Sequence, residues 1–163
     1  MDFHAALSKV TCNVLFRSWH SKHGDFFLAH AFMMLDKENE GIWQFGFYNP
    51  SEKKMTTFIL DKSSVEKTSS EGILETGSPI SELDPSSIVI SAPDALKKAD
   101  DRFISEYKRE LPLKKFFIIQ VVDSIPVFNI TYFTQSFKTV NIKIDAREGK
   151  LVNESIQSLV EFA

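Results

Sequence analysis

Residues 91–99, Ser-Ala-Pro-Asp-Ala-Leu-Lys-Lys-Ala, begin the stretch that decides the fold, which continues to residue 151. Ser91 or Asp94 can cap a helix, and Pro93 is tolerated in a first turn, where its missing N–H costs nothing. Apolar residues then recur three or four positions apart, which predicts one buried helical face. These residues are Leu96, Ala99, Phe103, Tyr107 and Leu111. Pro112 is expected to end the helix.

Three strand-like runs follow this helix, at residues 116–122, 127–133 and 139–145. In the third run, apolar residues alternate with polar ones, which is typical of a strand with one buried face. Asp145 begins an expected turn over 145–149. Residues 152–162 have the spacing of a short amphipathic helix. The stretch therefore predicts a helix, three strands and a C-terminal helix.

The first part of the chain contains a similar series. A helix is expected over residues 3–22, and strands over 26–35, 42–48 and 55–61. Because the two series keep the same order, we predict an α+β fold of two tandem αβββ repeats. Each repeat would have an antiparallel sheet with its helix on one face, with His30 and Gln120 at equivalent positions. Chance similarity between two such segments is the alternative.

This interpretation divides the chain into three parts. The first repeat occupies residues 1–66, a connector 67–93, and the second repeat with its C-terminal helix 94–163. A connector of that length is uncommon in compact domains, so residues 73–74, Ile80 and Leu83 are expected to anchor it. Residues 88–90 are expected to add a short strand.

The first strand of each series is apolar on both of its alternating faces, at residues 26–35 and 116–122. A strand covered by a helix on one side only would alternate with polar residues. These strands therefore need a second cover. Either the two halves of the chain pack against each other, or another protein or a second copy supplies the surface, which would make the chain a homodimer.

Two segments resemble the PepSY domain family. The first is Pro-Asp-Ala-Leu-Lys-Lys-Ala at 93–99, and the second is Val-Asn-Ile-Lys-Ile-Asp-Ala-Arg-Glu-Gly-Lys-Leu at 140–151. The resemblance covers residues 94–151, and 5–66 less closely, since residues 61–65 lack the glycine of the motif. It implies a small α+β module that binds or regulates partners, in some members as a protease-inhibitory segment. PepSY proteins are usually exported or membrane-attached.

Composition narrows the class of partner. The chain has 163 residues, a net charge of −3 and one cysteine. Basic residues are not concentrated in either half, which argues against nucleic acid as a partner. A single cysteine excludes an internal disulfide bond. No apolar run reaches the ~18 residues of a membrane span, and the N-terminus lacks the pattern of a signal peptide, so we expect a cytoplasmic protein.

Three sets of residues could carry chemistry. His4, His20, His23 and His30 could form a metal site with Cys12, but no Cys-x-x-Cys or His-Glu-x-x-His pattern accompanies them. On one helix, Cys12 and His20 would be ~12 Å apart, too far for a nucleophile and its base. We expect the four histidines to lie at the surface or at strand edges without binding a metal, and Cys12 to be buried. Asp61, Asp123 and Asp145 are expected in turns. The sequence thus predicts no catalytic residues, no metal and no cofactor.

One aromatic set remains as a candidate binding surface: Trp43, Phe45, Phe47, Phe128, Tyr132 and Phe133. These residues could equally form the core of the sheet. The favoured function is a non-catalytic protein-binding or regulatory module. The alternative is a small-molecule binder or enzyme with a cystatin/NTF2-like apolar pocket, lined by Phe32, Trp43 and a polar group.

Overall fold

Strands make up most of the structure. The computed structural model describes residues 1–68, 71–72 and 78–160, with backbone only for 71 and 72. The helices are α1 (Phe3–Cys12), α2 (Val14–His20) and α3 (Ala92–Glu106). The strands are β1 (Phe27–Met34), β2 (Trp43–Asn49), β3 (Lys54–Asp61), β4 (Ser64–Lys67), β5 (Glu71–Gly72), β6 (Pro112–Val122), β7 (Ile125–Thr134), β8 (Lys138–Asp145) and β9 (Leu151–Ser158).

All of these strands belong to one antiparallel sheet. Its order is β4-β3-β2-β1-β6-β7-β8-β9, and the two-residue β5 also pairs with β3. The two halves of the chain meet where β1 pairs with β6, from His30 opposite Gln120 to Met34 opposite Phe116. The strand pair at the centre is therefore formed by residues that lie far apart in the sequence.

The prediction of two tandem αβββ repeats is wrong. The structure is a single antiparallel sheet with eight strands along its path and β1 next to β6, rather than two three-stranded sheets. The reason lies in β1 and β6, which are apolar on both faces and hydrogen-bond to each other at the centre. His30 and Gln120 are direct partners in this pair.

The tail was predicted to be a helix and forms strand β9 instead. It pairs with β8 from Lys138 opposite Ser158 to Ile144 opposite Leu151. Pairing with the free edge of β8 supplies backbone hydrogen bonds that the helical spacing of the apolar residues did not reveal. Phe162, which was included in the predicted helix, lies outside the described residues.

The helices end at different residues from those predicted. Of the two predicted caps, Ser91 caps α3 by accepting a hydrogen bond from the Asp94 amide, and α3 ends at Glu106 instead of reaching Pro112. Residues 3–22 form two helices, because Asn13 ends α1 and its side chain accepts from the Leu15 amide at the start of α2.

All three helices pack on one side of the sheet, which we call the helix face. In α1 and α2, Phe3, Phe16 and Trp19 contact aromatic rings of β2 and β3. In α3, Phe103 stacks on Tyr132 of β7, with 4.3 Å between ring centroids. The hydrophobic core therefore lies between the helices and this face.

The connector helps to close the helix face. Leu83 is fully buried, and its amide donates to the carbonyl oxygen of Leu28 over 2.8 Å, which confirms its anchoring role. The predicted strand at 88–90 does not form; the amides of Val89 and Ile90 both donate to the carbonyl oxygen of Ala146. The predicted anchors at 73–74 lie outside the described residues.

The side of the sheet opposite the helix face contains a close contact between β1 and β2. His30 is opposite Gly46, and its ring occupies the space where a side chain at position 46 would begin. A Cβ atom added to Gly46 would lie 2.2 Å from Cε1 of His30. The two residues are thus matched in size.

We expect Gly46→Ala to lower the free energy of unfolding by about 2 kcal/mol, because the new methyl group displaces the His30 ring. In a His30→Ala background the same substitution should cost almost nothing, which a double-mutant cycle in urea measures. Gly24→Ala is the matched control, since nothing lies within 4 Å of an added Cβ there. Equal costs in both backgrounds would contradict this account of the contact.

Candidate functional site: the open face of the sheet

The structure places most of the predicted aromatic surface in the core. Five of its six members, Trp43, Phe45, Phe47, Phe128 and Tyr132, are buried, with at most 6% exposure. They point to the helix face and cannot offer a free surface to a partner. Phe133 is half-buried and lies on the opposite side, across from Lys114 of β6.

The predicted pocket lined by both Phe32 and Trp43 cannot form. Phe32 of β1 is opposite Gln44 of β2, so the two side chains share a face of the sheet. Trp43 precedes Gln44 on the same strand, and successive side chains of a strand point to opposite faces. Phe32 and Trp43 are therefore separated by the sheet itself.

The side of the sheet opposite the helices, which we call the open face, holds rows of side chains that cross the strands. Among the described residues no helix packs against it. Its longest row runs across all eight positions of the sheet: Glu66, Ile59, Gln44, Phe32, Ile118, Asn129, Lys143 and Asn153. A second row contains Met34, Phe116, Thr131, Asn141 and Ser155.

The centre of the open face is apolar. Phe32 and Phe116 contact each other with 5.7 Å between ring centroids, and Ile118 lies opposite Phe32. All three side chains are half-buried, although their strands are central in the sheet. Neighbouring side chains cover them in part, and each keeps a surface that another molecule can bury.

The half of the open face formed by β7 to β9 is polar. Thr131 donates a hydrogen bond of 2.6 Å to the side-chain oxygen of Asn141. The side-chain oxygen of Asn129 is buried without a hydrogen-bond partner among the described residues. Lys143, opposite Asn129, is half-buried and makes no ion pair with any described residue. Amide groups, and a lysine without an ion pair to any described residue, thus border the apolar centre.

His30 lies on the open face one row away from Phe32. Burial lowers the pKa of its ring, because loss of water disfavours the charged form. The ring is therefore neutral at pH 7, and the residues opposite it, Gly46 and Gln120, carry no charge. His30 adds to the apolar centre and not to its charge.

The other histidines do not converge with His30. His4 contacts the carbonyl oxygen of Ile88 at 2.8 Å, His23 contacts that of Trp19 at 2.8 Å, and His20 stacks on Phe16. These three lie on the helix side of the sheet. The described residues contain no group of three or more His, Cys, Asp or Glu side chains that could hold a metal ion. Cys12 was expected to be buried and is exposed.

The three aspartates lie apart: Asp61 and Asp145 are the last residues of β3 and β8, and Asp123 is in a turn. Asp145 accepts hydrogen bonds from the amides of Arg147 and Glu148, and these bonds, together with the Arg147 side chain, lower its pKa despite burial that raises it. Asp123 is exposed in the β6–β7 turn with a φ of 48°. Asp61 on β3 is five strands from Asp145 on β8, which corresponds to ~24 Å. No acid/base pair forms among them.

One polar cluster on the helix side was not predicted. Lys115 lies 3.0 Å from both carboxylate oxygens of Asp100, and Tyr132 donates to one of them over 2.7 Å. Burial, and then Asp100, raise the pKa of Tyr132. The cluster joins α3 to β6 and β7 beside a cleft of about 360 Å³. Because the charges of Lys115 and Asp100 are paired with each other, the cluster is explained by its role in holding α3 against the sheet.

The sequence matches no protein-family model and no curated protein. The fold is similar to the crystal structure of a "putative lipoprotein" from Clostridium difficile 630, with a TM-score of 0.57 and 12% identity over 88% of this chain and 90% of that chain. At this identity the likeness shows the fold alone. The resemblance to PepSY domains stays a prediction. Within the described residues, no helix is both long and apolar enough to cross a membrane.

The sequence indicates the apolar centre only indirectly. Residues 26–35 and 116–122 are apolar on both faces, and this signal locates Phe32, Phe116 and Ile118. No sequence signal marks Asn129 or Lys143, because their roles depend on which strands are neighbours.

Two asparagines on the open face should respond oppositely to substitution. We expect Asn129→Val to raise the free energy of unfolding by about 1 kcal/mol, because it removes a buried unpaired oxygen. Asn141→Val should lower it by about 1 kcal/mol, because it leaves the buried Thr131 hydroxyl without its acceptor. Urea denaturation of both variants measures the two changes. Destabilisation by both would show that Asn129 is a satisfied structural residue.

Proposed function

We propose that this protein is a non-catalytic protein-binding module and that the open face of its sheet is the binding surface. One observation carries the proposal: the most central strands, β1 and β6, keep half-buried aromatic and aliphatic side chains on the side that no described helix covers. Such a patch on a rigid sheet is typical of a partner interface. The resemblance to PepSY domains implies the same class of function.

The layout of the open face resembles that of a protein interface. Interfaces commonly have an apolar centre with aromatic anchors and a polar rim. Here Phe32, Phe116 and Ile118 form the centre, and the rim contains Gln44, Gln120 and Asn129. Because sheet backbone is held by hydrogen bonds on both sides, little conformational entropy is lost when a partner docks.

The charge on this face indicates what the partner carries. Lys143 has no described ion-pair partner, and Lys114 extends from the same face next to Phe133. Among the described residues, the acidic side chains on this face are Glu66 on the edge strand β4, Asp61 at the end of β3, and Asp145, which is paired with Arg147. A partner with an apolar side chain for Phe32 and a carboxylate for Lys143 fits both features. Ion pairs of this kind favour association and orientation more than affinity.

Photo-crosslinking can identify the partner. A photoreactive amino acid is placed at Phe32 on the open face and, in a separate variant, at Ile104, an exposed apolar residue of α3. We expect position 32 alone to give a reproducible crosslinked protein. The same products from both positions, or none from position 32, would contradict the proposal.

Binding of the purified partner then tests the residues. We expect Phe32→Ser to raise the dissociation constant at least tenfold, which is about 1.4 kcal/mol, because it removes an apolar anchor. Lys143→Gln should weaken binding less and reduce its dependence on salt. Ile104→Ser is the matched control and should bind as the wild type does. Wild-type affinity in Phe32→Ser would show that the partner docks elsewhere.

A further inference from the structure

The two edges of the sheet differ in how well they are blocked. At one edge, β4 has four residues, and two of them, Glu66 and Lys67, are exposed and charged. The same side of β3 also pairs with the backbone of Glu71 and Gly72 in β5. Charged side chains on an edge strand are a common protection against pairing with another strand.

The other edge, formed by β9, has no such protection. It is eight residues long and contains neither proline nor a basic residue. Its one charged side chain, Glu154, is bound by Arg102 of α3 through two hydrogen bonds of 2.7 and 2.9 Å, and Arg102 lowers the pKa of this carboxyl. No described strand pairs with the outer edge of β9, and no unpaired charge on the strand would repel one.

Apolar side chains are also exposed along this edge. Leu151, Val152, Ile156, Leu159 and Val160 are between 37% and 56% exposed. Ile156 has an apolar residue four positions away on each side: Val152 on β9, and Val160 two residues past the end of the strand. An unblocked edge with this local two-fold match at Ile156 is suited to a copy of itself.

We propose that a second copy of this chain binds here, with the two β9 strands antiparallel about a two-fold axis at Ile156. In this register Ile156 faces Ile156 of the second copy, and Val152 faces Val160. Glu154 faces Ser158, so no like charges are opposite each other. A register centred on Glu154 would place two carboxylates together, which is unfavourable.

This dimer goes beyond the proposed partner-binding function and uses a different surface. Antiparallel pairing about a two-fold axis perpendicular to the sheet continues it across both copies. Both open faces then lie on the same side of the combined sheet. A partner with two binding sites would engage both copies and gain avidity from the second contact.

The mass of the protein in solution tests the dimer. We expect light scattering at micromolar concentrations to give twice the monomer mass of 18.6 kDa. Ile156→Lys should give the monomer mass, because it places two positive charges opposite each other. A mixture of Ile156→Lys with Ile156→Glu should restore the dimer. Ile104→Lys is the matched control on another exposed apolar residue and should stay dimeric.

A crosslink tests the register separately. In a Cys12→Ser background, Ile156→Cys should form a disulfide-linked dimer under oxidising conditions, because residues opposite each other in an antiparallel pair are ~5 Å apart at Cα. A monomeric wild type, or a dimer unchanged by Ile156→Lys and uncrosslinked through Ile156→Cys, would overturn the proposal. Phe32→Ser should leave the dimer intact, so failure of the dimer and failure of partner binding are distinguishable.

Discussion

The pairing of β1 with β6 is the interaction on which the rest of the structure depends. Five residue pairs, from His30 opposite Gln120 to Met34 opposite Phe116, join residues that are 82 to 90 positions apart in the sequence. Without this pair, the helices would cover two small sheets with open edges, and each would bury too little surface to be stable alone. With it, both strands lose their free edges and become the centre of one sheet.

Placing β1 and β6 at the centre also determines the two faces. On one side, Ala31, Phe117 and Ile119 are fully buried under the helices and the connector. On the other side, Phe32, Phe116 and Ile118 remain half-buried. A fully buried apolar side chain contributes about 1.5–3 kcal/mol, so the open face keeps part of this stabilisation unused in the isolated chain. That remainder is the energetic basis for binding a partner.

Local patterns predicted the strands well and the long-range arrangement poorly. The runs at 116–122, 127–133 and 139–145 correspond to β6, β7 and β8, because alternation and turn residues are local signals. The tail has apolar spacing that fits a helix, yet it becomes β9, since the free edge of β8 offers hydrogen bonds that no local pattern reveals. The αβββ division failed for the same reason: the β1–β6 pair is invisible from either segment alone.

The candidate site shows the same limit. Alternation shows that Phe45 and Phe47 share a face, but it does not say which face the helices cover. The aromatic set was therefore a reasonable candidate surface, and five of its members are core. Phe32 and Phe116 became the better candidates only when the sheet order was known. Asn129 and Lys143 became candidates only because they are opposite each other on β7 and β8.

The most direct test of the central claim is carbene footprinting of the free protein, read by mass spectrometry at single residues. Phe116 and Phe117 are adjacent on β6 and point to opposite faces of the sheet. The account predicts labelling of Phe116 and Phe32 and none of Phe117 and Phe45, because the first pair is half-buried and the second fully buried. Protection of Phe116 and Phe32 to the same degree as Phe117 would show that the open face is covered and would contradict its role as a binding surface.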